Sequence, residues 1–328
     1  MDQPLHHCFR LKFGMFGLFS TVGTVAVGAT LAGLAGRYIG VLDLASHFPV
    51  QYLATLSIVA AAMSALRAYR TATVFAVVAL VNLVLVLQVY TGSPPALGPH
   101  GRSLRALLIN VHSDNTDHTA VLASIKRHAP DFVLVQEVNQ RWSEALQAIE
   151  DRYQYVVDQP QDDNFGIVLL GKYTALDAEV FNVGGVRVPS ILAEFEIEGR
   201  RFFIRGTHTI PPLSSKYAEM RDQHLAALPD IIVGLDAPVL LLGDLNTSPW
   251  SYHFKKLIRT SGLRNASRGR GIQATWPTQM LPLLIPIDHC LYSSGIEIID
   301  KTIADPIASD HYPVIVDFAI SLGPQSRM

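Results

Sequence analysis

Asp131-Phe132-Val133-Leu134-Val135-Gln136-Glu137 sets four consecutive apolar residues between an acid and a Gln-Glu pair. An apolar run this short marks a strand covered on both faces, as in a sheet packed between other layers. The same pattern recurs on either side. Residues 104–111 form a largely apolar run ending in Asn110-Val111-His112, and residues 118–128 place Val121, Leu122 and Ile125 at helical spacing before Pro130. A helical stretch is predicted after Glu137 through Ile149. Shorter strands fit 166–170, 191–197 and 201–207, a helix fits 214–227, and 238–242 is a third all-apolar strand. Strands at 286–293 and 313–320 close the chain. Strands and helices alternate early and strands dominate late, which predicts a mixed α/β domain with buried sheets.

Outward toward the N-terminus the character changes. The chain has 328 residues, 49% hydrophobic and only 16% charged, and its mean hydropathy is +0.26. The excess is concentrated: between Phe13 and Tyr90 the only charged residues are Arg37, Asp43, Arg67 and Arg70. A bilayer crossing needs about 20 apolar residues, and three stretches approach this: 13–36, 48–66 and 71–90. Residues 1–91 are therefore expected to form a membrane anchor of three transmembrane helices. A cleaved leader would explain the first stretch but not the other two. Gly33 and Gly36, spaced from Ala29 and Ala32, repeat the small-xxx-small pattern of close helix approach, or reflect ordinary glycine tolerance in lipid. Asn82 and Gln88 are expected to bond to neighbouring helices. No span carries a mid-depth ionisable group, which argues against a transporter. Arg10 and Lys12 before the first span, and Arg67 and Arg70 between the second and third, outweigh Arg37. Positive-inside counting then puts the N-terminus in the cytoplasm and the C-terminal domain outside an inner membrane, the periplasm in a Gram-negative cell. Residues 92–102, dense in Gly and Pro, read as a linker to a domain at 103–321.

Residues 1–101 carry five Lys/Arg and two acids, leaving 21 bases and 26 acids for the rest. A net-acidic domain offers no global electrostatic case for nucleic acid. Cys290 is the only thiol beyond Cys8, so no disulfide framework is available, and it is expected to be a packed strand residue.

The apolar runs end in residues suited to metal and phosphate chemistry. They lead respectively into Asn110, Gln136-Glu137, Thr207-His208, Gly243-Asp244-Leu245-Asn246 and Asp288-His289, while Ser309-Asp310-His311 precedes the last strand. Strand termini in layered α/β architectures gather at one edge, so these side chains can share a pocket. Carboxylates directly after apolar strands are costly to bury unless something positive meets them. Four of them, with Asn and His but no thiolate pair, suit a hard, oxygen-preferring ion, Mg²⁺ or Mn²⁺.

This ordered set, over nearly all of 103–320, resembles the endonuclease/exonuclease/phosphatase family. Asn164-Phe165-Gly166, Thr275-Trp276-Pro277 and Ile285-Pro286-Ile287-Asp288-His289 resemble its bacterial subgroup in which the domain follows several membrane spans. The resemblance implies a four-layer α/β/β/α sandwich of the DNase-I-like kind. It implies Glu137 as the main Mg²⁺ ligand, with Asn110 and Asp310 in or beside the metal shell. Asp244 would orient and deprotonate the attacking water, and Asn246 would bond a phosphoryl oxygen. His208 would contact the phosphate, and His311, oriented by Asp288, would stabilise the charge that builds up there. A departure is Gly171-Lys172, where family members often have Ser-Arg.

Other features have plainer readings. Trp276 and Tyr312 read as packing, although Trp276 beside Pro277 could line a substrate mouth, and His112 and His224 are given no role. The run Lys255, Lys256, Arg259, Arg264, Arg268, Arg270 reads as a solvated face in preference to a phosphate-binding one. The expected function is water attack on a lipid-linked or small extracytoplasmic phosphoester, because a tethered domain samples headgroups more often than free polymers. A metal-dependent nuclease is the enzymatic rival, and a non-catalytic membrane scaffold the second.

Overall fold

The computed structural model describes residues 3–92 and 100–321. The chain separates into two compact units, Met1–Val89 with Trp250–Tyr252, and Tyr90–Pro249 with His253–Met328. Most of the segment read as a linker lies outside the described residues. Its last three residues do not: the first strand begins at His100, because the backbone there already pairs with Ser321.

The first unit contains three helices, α1 (Gln3–Ala35), α2 (Pro49–Ala65) and α3 (Tyr69–Leu87). They meet through Ala26, Leu56, Val59, Met63, Ala72, Phe75 and Ala79. Gly36 lets α1 approach the backbone of Asp43 so closely that a Cβ would sit 2.7 Å from its Cα. Asn82 Nδ2 donates to Thr30 Oγ1 on α1 at 3.0 Å, the interhelical bond expected of it. Leu18, Val25, Leu31, Ile58, Val77 and Leu80 face outward. Among the described residues two helical stretches, Gly14–Ala35 and Tyr69–Leu87, are long and apolar enough to cross a membrane. The stretch at 48–66 differs from expectation. Its helix has only 17 residues and reaches spanning length only if joined to the 3₁₀ turn Gly40–His47, from which it bends by 64°. Pro49 at the helix start explains the break, since it cannot donate back into the preceding turn.

The second unit runs β1 (His100–Asn110), α4 (His118–His128), β2 (Phe132–Gln136), α5 (Gln140–Leu146), β3 (Gln154–Gln159), β4 (Ile167–Gly171), β5 (Asp177–Asn182), β6 (Pro189–Ile197), β7 (Arg200–Thr207), α6 (Ser215–Val233), β8 (Val239–Asp244), α7 (Tyr252–Ser261), β9 (Arg264–Asn265), β10 (Asp288–Tyr292), β11 (Ile296–Ile303) and β12 (Val314–Ser321). Two six-stranded sheets form, ordered β11-β12-β1-β2-β4-β3 and β5-β6-β7-β8-β10-β9. Period-two alternation sends Leu104, Ala106 and Leu108 of β1 toward the second sheet, where they join Phe195, Phe202, Ile204, Leu240, Leu242 and Cys290. Leu107 and Ile109 point the other way, onto Val121 and Ile125 of α4 and Trp142 and Leu146 of α5. On the far side Phe203, Leu241 and Leu291 pack against Leu225 and Leu228 of α6 and Phe254 and Leu257 of α7. The result is the expected α/β/β/α sandwich. The second sheet's helix α6 outlasts its expected end at 227, because Leu228 and Ile232 bury on the sheet and carry the helix across Pro229.

Each sheet contains one parallel pair, β1 with β2 and β7 with β8. The chain crosses between the partners through α4 and α6 respectively, as parallel pairing requires. Asn110 therefore ends level with Gln136, and Asp288 pairs directly with Asp244 across β8 and β10.

Candidate active site

The ends of β1, β2, β7 and β8, the start of β10 and the loop before β12 carry all eight residues singled out from the sequence. The structure brings them together. Asn110 Nδ2 donates to Glu137 Oε1 at 2.8 Å and stands 3.5 Å from His311 Nε2. His311 Nε2 is 3.7 Å from Asp244 Oδ2, and His208 Nε2 approaches the same oxygen at 3.5 Å. Asn246 closes the series: its backbone N–H donates to Asp244 Oδ1 at 2.8 Å, and its Nδ2 donates to Thr209 O at 2.8 Å. Behind His311, Nδ1 meets Asp288 Oδ2 at 2.8 Å, and Thr275 Oγ1 accepts from the Asp288 N–H at 3.2 Å. Ser309 Oγ donates to Asn110 O and accepts from the His311 N–H, joining the last loop to β1.

The backbone departs from regular geometry where the strands end. His112, Glu137 and Asn246 have φ of 59, 62 and 45°, all in the left-handed region. Non-glycine residues held there cost of order 1 kcal/mol each and cluster at functional sites. The N-cap of α5 is Asn139, and the Glu137 carboxylate accepts instead from Asn110 Nδ2 at 2.8 Å and the Ser113 N–H at 3.3 Å.

Burial and charge shape the titration. Burial by itself would lower the His311 pKa, but the Asp288 carboxylate and its hydrogen bond, then Asp244 and Asp310, push it up to about 10. His208 behaves alike: burial opposes its charge, and Asp244 raises its pKa above the usual imidazole value. Asp288 is lowered, because the attraction of His311 and hydrogen bonds outweigh a desolvation that favours its neutral form.

Four carboxylates, Glu137, Asp244, Asp288 and Asp310, thus meet three imidazoles. Asp310 Oδ2 accepts from Trp276 Nε1 at 2.9 Å, while Asp310 Oδ1 is buried with no hydrogen-bond partner among the described residues. The His112 Nδ1 ring nitrogen lies 3.4 Å from that oxygen and 3.8 Å from Glu137 Oε2. A buried carboxylate oxygen that accepts no hydrogen bond, in an oxygen-rich cluster, fits a divalent cation. Asp244, Asp288 and His311 also offer one ligand atom each, all within 4.8 Å of one another. In that trio, however, the Asp288–His311 hydrogen bond already occupies one atom of each partner.

Two neighbours of the site escaped the sequence reading. His112, given no role, faces both Asp310 and Glu137. Trp276, read as packing, is a hydrogen-bond donor to Asp310. The indole N–H of a Trp next to a Pro-containing turn was the available signal; for His112 the left-handed turn that swings the ring inward has none. Other polar groups prove structural. His224 Nε2 lies 2.9 Å from Thr207 Oγ1, Lys172 Nζ donates to Ala129 O, and Arg270 reaches Ala266 O, Ile298 O and Ile299 O.

A model of the Endonuclease/Exonuclease/phosphatase family matches residues 107–311. No curated protein sequence matches the chain. Among solved structures, the chain resembles the endonuclease/exonuclease/phosphatase from Bacteroides vulgatus with 20% identity and a TM-score of 0.58, covering 67% of this chain and 100% of that one. It resembles D. rerio TDP2 complexed with single-strand DNA product at 16% identity and TM-score 0.58, covering 66% and 99%. The human Nocturnin catalytic domain with bound sulfate anion matches at 18% identity and TM-score 0.55, covering 68% and 96%. With the family match spanning the whole strand-end cluster, the chain belongs to the endonuclease/exonuclease/phosphatase family and is a metal-dependent phosphoester-hydrolysing enzyme.

Proposed function

We propose that this enzyme is a membrane-anchored, Mg²⁺-dependent hydrolase of lipid-linked or small extracytoplasmic phosphoesters. The observation that carries the chemistry is Asp244 Oδ2, set between the Nε2 atoms of His208 and His311 at 3.5 and 3.7 Å. A phosphoester is already anionic, so attack by water needs both a base and donors that neutralise the phosphoryl oxygens. Asp244, fixed by the Asn246 N–H, is the base that orients water and accepts its proton. His311, held by Asp288, and His208 present N–H donors toward the phosphoryl group, and Asn246 Nδ2 adds a neutral one. Glu137, Asn110 and Asp310 would hold Mg²⁺, or Mn²⁺, which would supply Lewis-acid neutralisation of the phosphate. Asp310 Oδ1, which accepts no hydrogen bond among the described residues and has His112 Nδ1 beside it at 3.4 Å, supports this set over one built on Asp288, whose carboxylate already serves His311.

The apolar helices support an anchor, with the bent pair counted as a third crossing. With positive-inside counting this puts the catalytic domain outside an inner membrane. A C-terminal reporter active only in the cytoplasm is then expected to be silent; a bright one overturns the orientation. The rival reading as a nuclease draws on the likeness to TDP2, solved with single-strand DNA product. The net-acidic composition of residues 102–328 stands against it.

The test is turnover by the full-length protein in nanodiscs, with Mg²⁺ or with chelator. The substrates are a chromogenic diester, a phospholipid and plasmid DNA. Asp244→Asn should lower phosphoester turnover by about 10²–10⁴-fold. Equal turnover by this variant overturns the mechanism, and plasmid nicking without diester or lipid hydrolysis overturns the substrate class.

A further inference from the structure

We infer that residues 278–284 form an apolar subsite beside the active site that holds the aliphatic portion of an amphiphilic phosphoester. This rests on the hydrolase reading and extends it to substrate recognition. From Trp276 to Ile287 the chain carries no charged residue. Within it Met280, Leu281 and Leu283 are 51, 63 and 42% exposed. These three lie within four residues of one another, and exposed apolar side chains grouped in this way mark ligand or lipid contacts.

The position of the loop gives it that role. Its two ends pair at Trp276 and Ile285, with Trp276 N donating to Ile285 O at 3.1 Å. Its first arm is fastened to the segment carrying Asp310 and His311. The Thr278 N–H donates to Asp310 O at 2.9 Å, and Thr278 Oγ1 donates to Ser309 O at 2.8 Å. Trp276 Nε1 holds the Asp310 carboxylate itself, and its ring lies 6.4 Å from that of His311. Met280 follows Thr278 by two residues, so its Cα stands within about 7 Å of a residue bonded to the site. A short turn, Leu283 N to Met280 O at 2.8 Å, then fixes the apolar tip on this base.

The chemistry of the occupant follows. A polyanion passing here would meet no cation on the loop and would lose hydration to three apolar side chains. An alkyl chain extending from a phosphate seated among His208, Asn246 and His311 would instead bury those side chains along with itself.

The test uses the full-length protein in phosphatidylcholine nanodiscs and two chromogenic diesters, p-nitrophenyl methyl phosphate and p-nitrophenyl decyl phosphate. The wild type should favour the decyl ester in kcat/KM by at least about tenfold, a modest share of the transfer energy of the chain. In the double variant Leu281→Ser/Leu283→Ser, changed only at exposed positions, the decyl-to-methyl ratio should fall toward one. A ratio unchanged by the variant overturns the subsite, as does a wild type without preference. Should neither ester be hydrolysed, titration of decylphosphonate into both proteins decides separately. Weaker binding by the variant keeps the subsite and removes the hydrolase reading, and equal binding removes the subsite. A variant that changes sedimentation mass and not the ester ratio would reassign the loop to self-association.

Discussion

Gln136 is fully buried at the end of β2, and its carboxamide spans from one sheet to the other. Nε2 donates to Thr207 O at 2.9 Å, and Oε1 accepts from the Asp244 N–H at 2.9 Å. One side chain thus sets the distance from Glu137, its neighbour, to both His208 and Asp244. Gln136→Met keeps the volume roughly constant but leaves a buried carbonyl and a buried N–H without partners. Each such group costs about 1–3 kcal/mol, so the variant should lose roughly 2–5 kcal/mol. That is survivable for a domain of ordinary stability, about 5–15 kcal/mol. At about 2–4 °C per kcal/mol for a unit of this size, Tm should fall by about 5–15 °C. Activity should fall more than folding explains, because misplacing the base relative to the phosphate by an ångström costs about a hundredfold. Gln136→Glu should be no rescue. It still accepts from the Asp244 N–H, but as a carboxylate it turns a second acceptor onto Thr207 O. Thermal melting and steady-state turnover on the folded fraction measure the two effects separately. A Gln136→Met enzyme that melts with the wild type and keeps its kcat would refute the claim that this residue sets the register of the site.

Three further outcomes follow from two buried groups and one half-buried one. Arg205 is fully buried, and none of its guanidinium nitrogens has a hydrogen-bond partner among the described residues; burial pushes its pKa down to about 10. Replacing such a charge with an apolar side chain is stabilising by about 1–4 kcal/mol, so Arg205→Met should raise Tm in a calorimetric scan. His224 is pushed down to about 3, first by burial and then by the charges of Arg205 and His208. The native state therefore binds fewer protons than the unfolded chain between pH 6.5 and 3, and stability falls as pH drops through that window. His224→Gln should flatten the slope by up to about 1.4 kcal/mol per pH unit in denaturant titrations. Trp276→Phe keeps the ring but removes the donor to Asp310 Oδ2. The Mg²⁺ concentration for half-maximal activity should rise about 10–100-fold, as for other groups that orient metal ligands.

The sequence reading was strongest where one physical rule decided the outcome. Strands β2, β4 and β8 are buried throughout, and their unbroken apolar runs showed it. Weaker patterns were missed. β5 reads Asp-Ala-Glu-Val-Phe-Asn and lies at a sheet edge, half exposed, so no covered face marks it. β3 and β11 border the other sheet and mix charge into the strand, as edge strands do. The site followed the same division. Carboxylates after apolar strands were legible because burying them demands a partner. His112 was not, because its approach to Asp310 and Glu137 depends on a left-handed residue that nothing in a non-glycine sequence announces. Gln136 was visible only as half of a Gln-Glu pair, since its partners, a carbonyl and an N–H of the opposite sheet, have no side-chain signature.

That opposite-sheet dependence explains why no single motif here could carry the chemistry. The first sheet and its last loop supply Asn110, Glu137, Asp310 and His311. The second supplies His208, Asp244 and Asp288. Asn110 to His311 lies within the first half, but the other contacts that close the site, His311 to Asp288, His311 to Asp244 and Gln136 to both Thr207 and Asp244, bridge the halves. The force holding the sheets at this spacing is the apolar interior of Phe132, Leu134, Phe195, Phe202, Leu240 and Leu242. A cavity in that layer, as from Leu134→Ala, leaves every site residue in place on its own strand yet loosens the bond distances between strands of opposite sheets. The acid–imidazole pairs therefore depend on core packing as much as on their own charges, and the site has to be understood as a product of the sandwich, with neither sheet holding a working half.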